Sequence, residues 1–250
     1  GSPDLNVTAQ GVVGYYGGNP ETEEETGNTV TAGLVWTPFN IDGLSASIDY
    51  FDIEVEDYIG RLPGFSGSQV FECYFPGDGS DEPNGYCAAS ERDANGVLIR
   101  VNGGLNNVAT HSINGVDFSV NKSAELWGGV LDASYVASYI REKKFSVDGT
   151  NLVADCAGKF NVALGGDACA RPVTNLKHRG TLSWSRYAYS LQLTWRHLSS
   201  VDDGDDQRSF AYESISAYNT IDLGGVYELQ NGLTLIGGVR NLLDEEPPFL

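Results

Sequence analysis

Four cysteines are the side chains in this sequence best suited to covalent chemistry. They fall as two local pairs, Cys73 with Cys87 and Cys156 with Cys169, and each pair encloses a loop rich in Gly and Asp. Local pairing is the simplest of the connectivities that four cysteines allow. Neither pair has the close C-x₂-C spacing, with further Cys or His nearby, that a zinc site needs. The spacing therefore favours two disulfides formed in an oxidising compartment.

Two acidic runs have a composition that suits Ca²⁺. One contains Asp202, Asp203, Asp205 and Asp206, and the other spans residues 78–82. Ca²⁺ takes several carboxylate oxygens from flexible loops, but neither run has the Gly and Glu positions of an EF-hand. A solvated loop is the simpler explanation. Ca²⁺ at the first run is the alternative, and no other cofactor is expected.

The histidines do not form a catalytic constellation. His111, His178 and His197 lie on different predicted strands, and no Ser or Cys nucleophile motif stands beside any of them. Because catalysis needs a nucleophile, a base and an orienting group within reach of each other, we predict that the protein is not an enzyme. His178 and His197 flank one predicted hairpin near its outer end. A metal-binding pair and a role as rim residues are both open for them.

The charge balance and hydropathy restrict the class of protein. Fifteen Lys and Arg against 34 Asp and Glu give a net charge of −19. This charge repels a phosphate backbone, so we exclude nucleic-acid binding. No run of about eighteen apolar residues could form a transmembrane helix, but a membrane strand needs only about 9–11 alternating residues. Residues 1–4 carry no signal-peptide features, so any export signal lies outside this chain or has been removed.

Alternating apolar and polar residues are the main structural signal. Leu44, Ala46, Ile48 and Tyr50 lie on one face of a predicted strand, and the residues between them are polar. The pattern recurs at 116–121, 131–139, 189–196, 221–227 and 233–239, and more weakly at 30–36 and 176–184. We therefore predict about eight antiparallel strands with one apolar face. The polar side chains expected to face a wet interior are Asp117, Asp132, Gln192, Thr194, Arg196 and Asp222.

Short and long connections between these strands alternate. Residues 38–43, 124–129, 186–188 and 230–232 form tight turns, whereas 56–111, 142–175 and 202–214 form long loops. Aromatic residues also concentrate near the predicted strand ends. These features are typical of an outer-membrane β-barrel with short periplasmic turns and long extracellular loops. A soluble β-sandwich shares the alternation and remains an alternative.

Short segments spread over nearly the whole chain resemble the second half of the barrel of TonB-dependent receptors. They are GNP (18–20) with Glu23, Glu24 and Glu25, TAGLVW (31–36) with Pro38, IDYFDI (48–53), GVDF (115–118), LTWR (193–196) and GVRNLLDEEPP (238–248). The last segment is the strongest match and is similar to the family's penultimate strand with the loop that follows it. The order and spacing of the segments make the resemblance specific.

The resemblance implies a barrel of about 22 strands around an N-terminal plug. Such a receptor imports siderophores, cobalamin, oligosaccharides or similar scarce solutes across the outer membrane of a Gram-negative bacterium, with energy supplied through TonB. We expect residues 1–250 to form a partial barrel, about strands 14 to 21, without the plug, the earlier strands and the last strand. The expected partners are outer-membrane lipid, TonB, the plug and a small solute or siderophore.

Solute recognition is expected from aromatic residues of the long loops, because loops on a rigid scaffold commonly carry recognition. The candidates are Tyr74, Phe75, Tyr86, Phe210 and Tyr212. Two other classes stay open. A passive porin-like barrel would lack a plug upstream of this segment, and a soluble β-sandwich that binds glycans would need no detergent for extraction.

Overall fold

A computed structural model describes residues 13–15, 18–60, 90–94, 98–102, 105–147, 153–160, 162, 171–204 and 212–248. The strands in these parts of the chain are β1 (Val13–Tyr15), β2 (Thr26–Trp36), β3 (Leu44–Gly60), β4 (Ser90–Arg92), β5 (Leu98–Asn102), β6 (Asn106–Leu126), β7 (Gly129–Val147), β8 (Val153–Asp155), β9 (Lys159–Phe160), β10 (Leu176–Arg186), β11 (Tyr189–Leu198), β12 (Val201–Asp203), β13 (Ser214–Ile215), β14 (Tyr218–Glu228) and β15 (Thr234–Val239). None of the described residues forms a helix long and apolar enough to cross a membrane.

Eight long strands form one sheet in the order β2-β3-β6-β7-β10-β11-β14-β15, and β8 pairs with β7. All neighbouring pairs are antiparallel. The connections 37–43, 127–128, 187–188 and 229–233 lie at one end of the sheet, and the long connections lie at the other. At one of the two two-residue turns, Trp127 and Gly128 have φ of 54° and 71°, as a type I′ turn requires. The predicted eight antiparallel strands and alternating connections are confirmed.

The strands differ in length in an informative way. β10 and β11 have 11 and 10 residues, which suits one membrane crossing of about 9–11 residues. β3, β6 and β7 have 17, 21 and 19 residues and extend further at the long-loop end. The loop limits predicted at residues 56, 111 and 142 are therefore wrong. Register shifts between Asn114 and Gly115 and after Val55 interrupt the alternation there, so the sequence pattern no longer marks the strands.

Cross-strand register assigns the side chains to two faces, because directly paired residues of antiparallel strands point the same way. One face carries the row Ile48, Phe118, Ala137, His178 and His197, and the next row, Ser47, Ser119, Val136, Arg179 and Arg196, lies on the other face. We call the first the outer face and the second the inner face. All six polar residues that the sequence placed towards a wet interior share the inner face.

The buried hydrophobic side chains cluster at the long-loop end of the sheet. Among the described residues they are Ala109, Phe145, Ala154, Cys156, Val201 and Ile215. The short strand β12 pairs in parallel with β9 and antiparallel with β13, so two long connections join into one unit. We call this unit, residues 153–160, 162, 171–175, 199–204 and 212–217, the loop cap. A further small sheet has the order β1-β5-β4.

Candidate functional site

A groove of 530 Å³ lies on the inner face of the main sheet, towards the long-loop end. Strands β3, β6, β7, β10, β11 and β14 form its floor. The groove combines acids, bases and hydroxyl groups, and its polar lining side chains are Ser47, Asp49, Asp117, Ser119, Ser138, Lys177, Arg179, Arg196, Tyr218 and Thr220. Because these residues alternate with outward-facing residues along each strand, the period-two pattern of the sequence is what builds the groove.

The acidic side of the groove contains two opposed carboxylates. Asp49 of β3 is paired directly with Asp117 of β6, and like charges directly opposite each other are destabilising. Gly33 on β2 makes room for Asp49, because a Cβ at Gly33 would collide with Asp49 Oδ1. The Asp49 carboxylate therefore lies over β2, away from Asp117. The glycine relieves part of the repulsion without removing either charge.

The basic side of the groove contains three cationic side chains. Arg179 of β10 is paired directly with Arg196 of β11, and Lys177 lies two residues from Arg179 on the same face. Arg196 is neutralised by Asp222, with Nη1 2.5 Å from Oδ2, and the backbone N–H of Asn241 donates to the other oxygen of Asp222 at 2.9 Å. Among the described residues, Lys177 and Arg179 form no ion pair. Both are exposed towards the groove.

The opposite charges of the groove stay apart. Asp117 and Lys177 share one row through Ser138 of β7, so two strand spacings of about 4.8 Å each separate their backbones by about 10 Å. The groove can therefore take a partner that brings anionic groups to β10 and cationic groups or hydrogen-bond donors to β3 and β6.

His111 connects the sheet to the loop cap beyond the membrane-crossing length of β6. Its ring centroid lies 5.9 Å from that of Tyr58 and 6.3 Å from that of Phe145, and Phe145 is paired with Ala154 of the cap. Burial lowers the pKa of His111, and the positive charge of Lys143 lowers it further. Both causes favour the neutral imidazole at this junction.

Only part of the predicted loop site falls within the described residues. Cys156 is fully buried in the loop cap and is disulfide-bonded. Because the other three cysteines lie outside the described residues, the pairings Cys73–Cys87 and Cys156–Cys169 remain predictions. Tyr212 is exposed beside β13. A shared role in ligand binding also remains a prediction, since the other four candidates, Tyr74, Phe75, Tyr86 and Phe210, lie outside the described residues.

The predicted calcium site lies partly on β12. Asp202 and Asp203 are consecutive strand residues and so point to opposite faces, which hinders binding of one ion by both. Asp205 and Asp206 lie outside the described residues. Within the described ranges, no group of three or more His, Cys, Asp or Glu side chains could hold a metal ion. Ca²⁺ binding at the acidic run remains a prediction.

The register places the side chains of His178 and His197 side by side on the outer face, and both residues also border the groove. They are paired directly across β10 and β11, and their rings stack with centroids 4.6 Å apart. The ring of Trp195 contacts His178 edge-on at 4.3 Å. His197 Nδ1 lies 2.9 Å from Asn219 Oδ1. The sequence suggested that the two histidines were close, and the register makes them direct neighbours.

Sequence reasoning missed Lys177 and Arg179. They lie in a weakly alternating segment, and polar inner-face residues were interpreted only as the lining of a wet interior. The informative signal is the alignment of β10 with β11, which places Arg179 against Arg196. That alignment could have been deduced from the tight turn at 187–188, because turn length fixes the register of a hairpin.

Comparison with known proteins defines the family. Residues 2–242 match the family described as TonB dependent receptor-like, beta-barrel. No curated protein matches the chain. Similar solved structures include the ferric enterobactin receptor PfeA of Pseudomonas aeruginosa, with 20% identity, TM-score 0.58 and coverage of 92% of this chain and 27% of that chain. The siderophore receptor PirA of Acinetobacter baumannii gives 13% identity, TM-score 0.57 and coverage of 93% and 32%. The FrpB iron transporter of Neisseria meningitidis gives 11% identity, a TM-score of 0.56 and coverage of 94% of this chain and 29% of that chain.

The fold is thus the antiparallel wall of an outer-membrane type of β-barrel, and this chain spans only about a quarter to a third of the length of the receptors that it resembles. The chain belongs to the TonB-dependent receptor β-barrel family. Proteins of this family are transporters rather than enzymes, located in the outer membrane of Gram-negative bacteria. The predicted family and the all-β antiparallel fold are confirmed.

Proposed function

We propose that this chain forms part of the barrel wall of an outer-membrane receptor that binds a small solute and passes it inward. The observation that carries the proposal is the inner-face groove, in which Lys177 and Arg179 have no counterion among the described residues. The groove lies at the ends of β10, β11 and β14 that adjoin the long connections, and long loops are extracellular in barrels of this kind. A solute captured by the loops would therefore reach the groove first.

The solute class that best suits the groove is an anionic iron chelate of the siderophore type. Arginine and lysine donate charge-assisted hydrogen bonds to anionic oxygens, and such bonds are stronger than neutral ones. The likeness to PfeA, which has been solved in complex with enterobactin, and to PirA supports this choice. TonB, outer-membrane lipid and a plug are the other proposed partners, and Asp49 and Asp117 would suit cationic side chains of the plug.

The test uses the full-length receptor that contains this segment. It is expressed in a Gram-negative host without other siderophore receptors, with and without TonB, and iron uptake is measured with two chelates. These are an anionic ferric tricatecholate and a neutral ferric trihydroxamate. Losing a hydrogen bond to a charged group costs about 1.5–3 kcal/mol, so Lys177→Gln with Arg179→Gln should raise the Kd of the anionic chelate at least about tenfold.

Lys122→Gln provides the matched control. Lys122 has the same charge but shares the outer face with Leu44 and Ala133, and its Nζ donates to the backbone oxygen of Asp42. This variant should bind both chelates as the unmodified receptor does. Uptake that does not depend on TonB would refute the receptor proposal. Unchanged affinity in the double variant, or an equal loss in the Lys122 variant, would refute the role of the groove.

A further inference from the structure

The inner-face groove contains one arginine whose charge is already compensated. Arg196 of β11 lines the groove, and its Nη1 atom lies 2.5 Å from Oδ2 of Asp222 on β14. Arg196 is paired directly with Thr220, and Asp222 lies two residues from Thr220 towards the short turns. The arginine therefore reaches diagonally across the two strands, as long side chains can. Thr220 lines the groove, whereas Asp222 lies outside its lining.

Asp222 is a fixed acceptor, because each of its carboxylate oxygens has a donor. Oδ1 accepts the backbone N–H of Asn241 at 2.9 Å. The side chain of Asn241 is itself held twice by the backbone of Glu245, with Nδ2 donating to the carbonyl oxygen at 2.9 Å and Oδ1 accepting the N–H at 3.1 Å. The Asp222 side chain is 19% exposed, so water reaches it only in part. The pair is thus better ordered than a typical surface ion pair.

The ion pair also reduces the repulsion between two facing arginines. Arg179 is paired directly with Arg196, and like charges directly opposite each other are destabilising. Asp222 neutralises Arg196 and directs its guanidinium towards β14, away from Arg179 on β10. A solute that binds Arg196 would have to compete with this charge-assisted bond. The cationic groups that the groove offers to a solute are therefore Lys177 and Arg179.

We propose that Asp222 limits the negative charge of the solute that the groove accepts, because it keeps Arg196 from acting as a third cationic contact. Asp222 is a positioning residue, since it acts through Arg196 and not on the solute. The inference rests on the proposed function, because it requires an anionic solute in the groove. It adds the residue that sets selectivity: without the charge of Asp222, the groove should favour more highly charged anions.

Equilibrium binding to the detergent-purified full-length receptor tests the proposal. The probes are the anionic ferric tricatecholate and the neutral ferric trihydroxamate, both labelled with radioactive iron. Asp222→Asn removes the charge but keeps an oxygen for the N–H of Asn241. It should lower the Kd of the tricatecholate at least about tenfold, the factor expected for one additional hydrogen bond between charged groups. The Kd of the trihydroxamate should not change. Asp222→Glu keeps the charge and should show no such gain.

The gain in affinity should depend on Arg196. In a receptor that already carries Arg196→Gln, the addition of Asp222→Asn should give no gain, a dependence that a merely structural role of Asp222 would not produce. Asp132→Asn is the matched control, because Asp132 shares the inner face but lies six residues from Ser138 along β7, about 20 Å from the groove. It should leave both Kd values unchanged. If Asp222→Asn does not fold, Asp222→Thr replaces it, because threonine favours strands.

Three results would overturn the proposal. They are an unchanged tricatecholate affinity in Asp222→Asn, an equal gain in Asp132→Asn, and a gain that persists in the absence of Arg196. Two other results would instead count against the proposed function. These are a failure of the unmodified receptor to bind the tricatecholate, and binding that does not depend on Lys177 and Arg179.

Discussion

An arginine on the outer face of β11 tests which face of the sheet meets hydrocarbon. Leu193 is four residues from Tyr189 at the short turn, so it lies about 10 Å above the turn at 3.4 Å per residue and a tilt of about 40°. The midplane of a band about 25 Å tall is about 12 Å up. Because arginine near the midplane costs about 2–4 kcal/mol, Leu193→Arg should lower the free energy of unfolding by about 3 kcal/mol.

Two neighbouring positions turn this prediction into a graded series. Leu191 shares the outer face but lies about 5 Å above the turn, where an arginine costs about 1 kcal/mol or less. Gln192 lies on the inner face, where it pairs with Ser183, so Gln192→Arg should cost least. The expected order of destabilisation is Leu193, then Leu191, then Gln192.

The assay is equilibrium unfolding of the full-length receptor by urea in lipid vesicles, followed by tryptophan fluorescence and by the gel mobility shift of the folded barrel. A loss of about 3 kcal/mol corresponds to a change of about 150-fold in the unfolding equilibrium, well within the range of the method. Equal losses at Leu193 and Gln192 would contradict the assignment of the two faces. A greater loss at Gln192 would reverse it.

Three further changes test the sheet, the loop cap and the cysteines. Gly115→Ala should destabilise the sheet by about 1–3 kcal/mol in the same urea assay, because its Cβ would collide with a backbone oxygen of β7; an unchanged midpoint would contradict the register. Burial lowers the folded-state pKa of His111. The contribution of this residue to the free energy of unfolding is therefore present above the unfolded pKa of about 6.5 and is lost as the pH falls below it. His111→Gln should therefore reduce the loss of amide protection in the cap, measured as protection factors corrected for the intrinsic exchange rate, as the pH falls from 7 to 5, and an unaltered loss would rule out this residue. Peptide mapping without reductant should show Cys156 linked to Cys169, and a different partner would contradict local pairing.

The strands and their faces could be predicted because alternation is a local signal. Leu191, Leu193 and Trp195 alternate with polar residues, and the structure places all three on the outer face. A one-residue shift would move every side chain of a strand to the other face, so an apolar face constrains the register strongly. The pattern weakened where bulges changed its phase, and there the predicted strand ends were wrong.

The groove could not be predicted to the same extent, because it depends on register between strands that are distant in sequence. Asp49 and Asp117 are 68 positions apart in the chain, yet they are direct neighbours across β3 and β6. Neither residue differs locally from any other polar position of its strand. Their shared function emerges only after the sheet is assembled, and the same holds for the two opposed arginines.

The loop cap was missed for a related reason. β9 and β12 have two and three residues, too few for alternation to be visible, and they pair in parallel between two different connections. Backbone hydrogen bonds hold this contact, among them Asp202 N–H to Gly158 O at 2.9 Å and Gly204 N–H to Phe160 O at 2.8 Å. Because backbone groups carry no residue identity, the sequence offers no signal for such pairing.

The distribution of buried side chains indicates that the loop cap and the main sheet are stabilised in different solvents. The buried hydrophobic residues among the described ranges all lie in or beside the loop cap, whereas large outer-face residues such as Leu182 and Leu193 are 46% and 36% exposed. Water therefore drives folding of the cap by the hydrophobic effect. The sheet is held by the hydrogen bonds between its strands. An apolar solvent strengthens these bonds because it offers the backbone groups no alternative partner.

Detergent removal should thus damage the sheet first, whereas reduction of the Cys156 disulfide should loosen the cap and leave the sheet folded. Simultaneous loss of both regions on reduction would contradict this division.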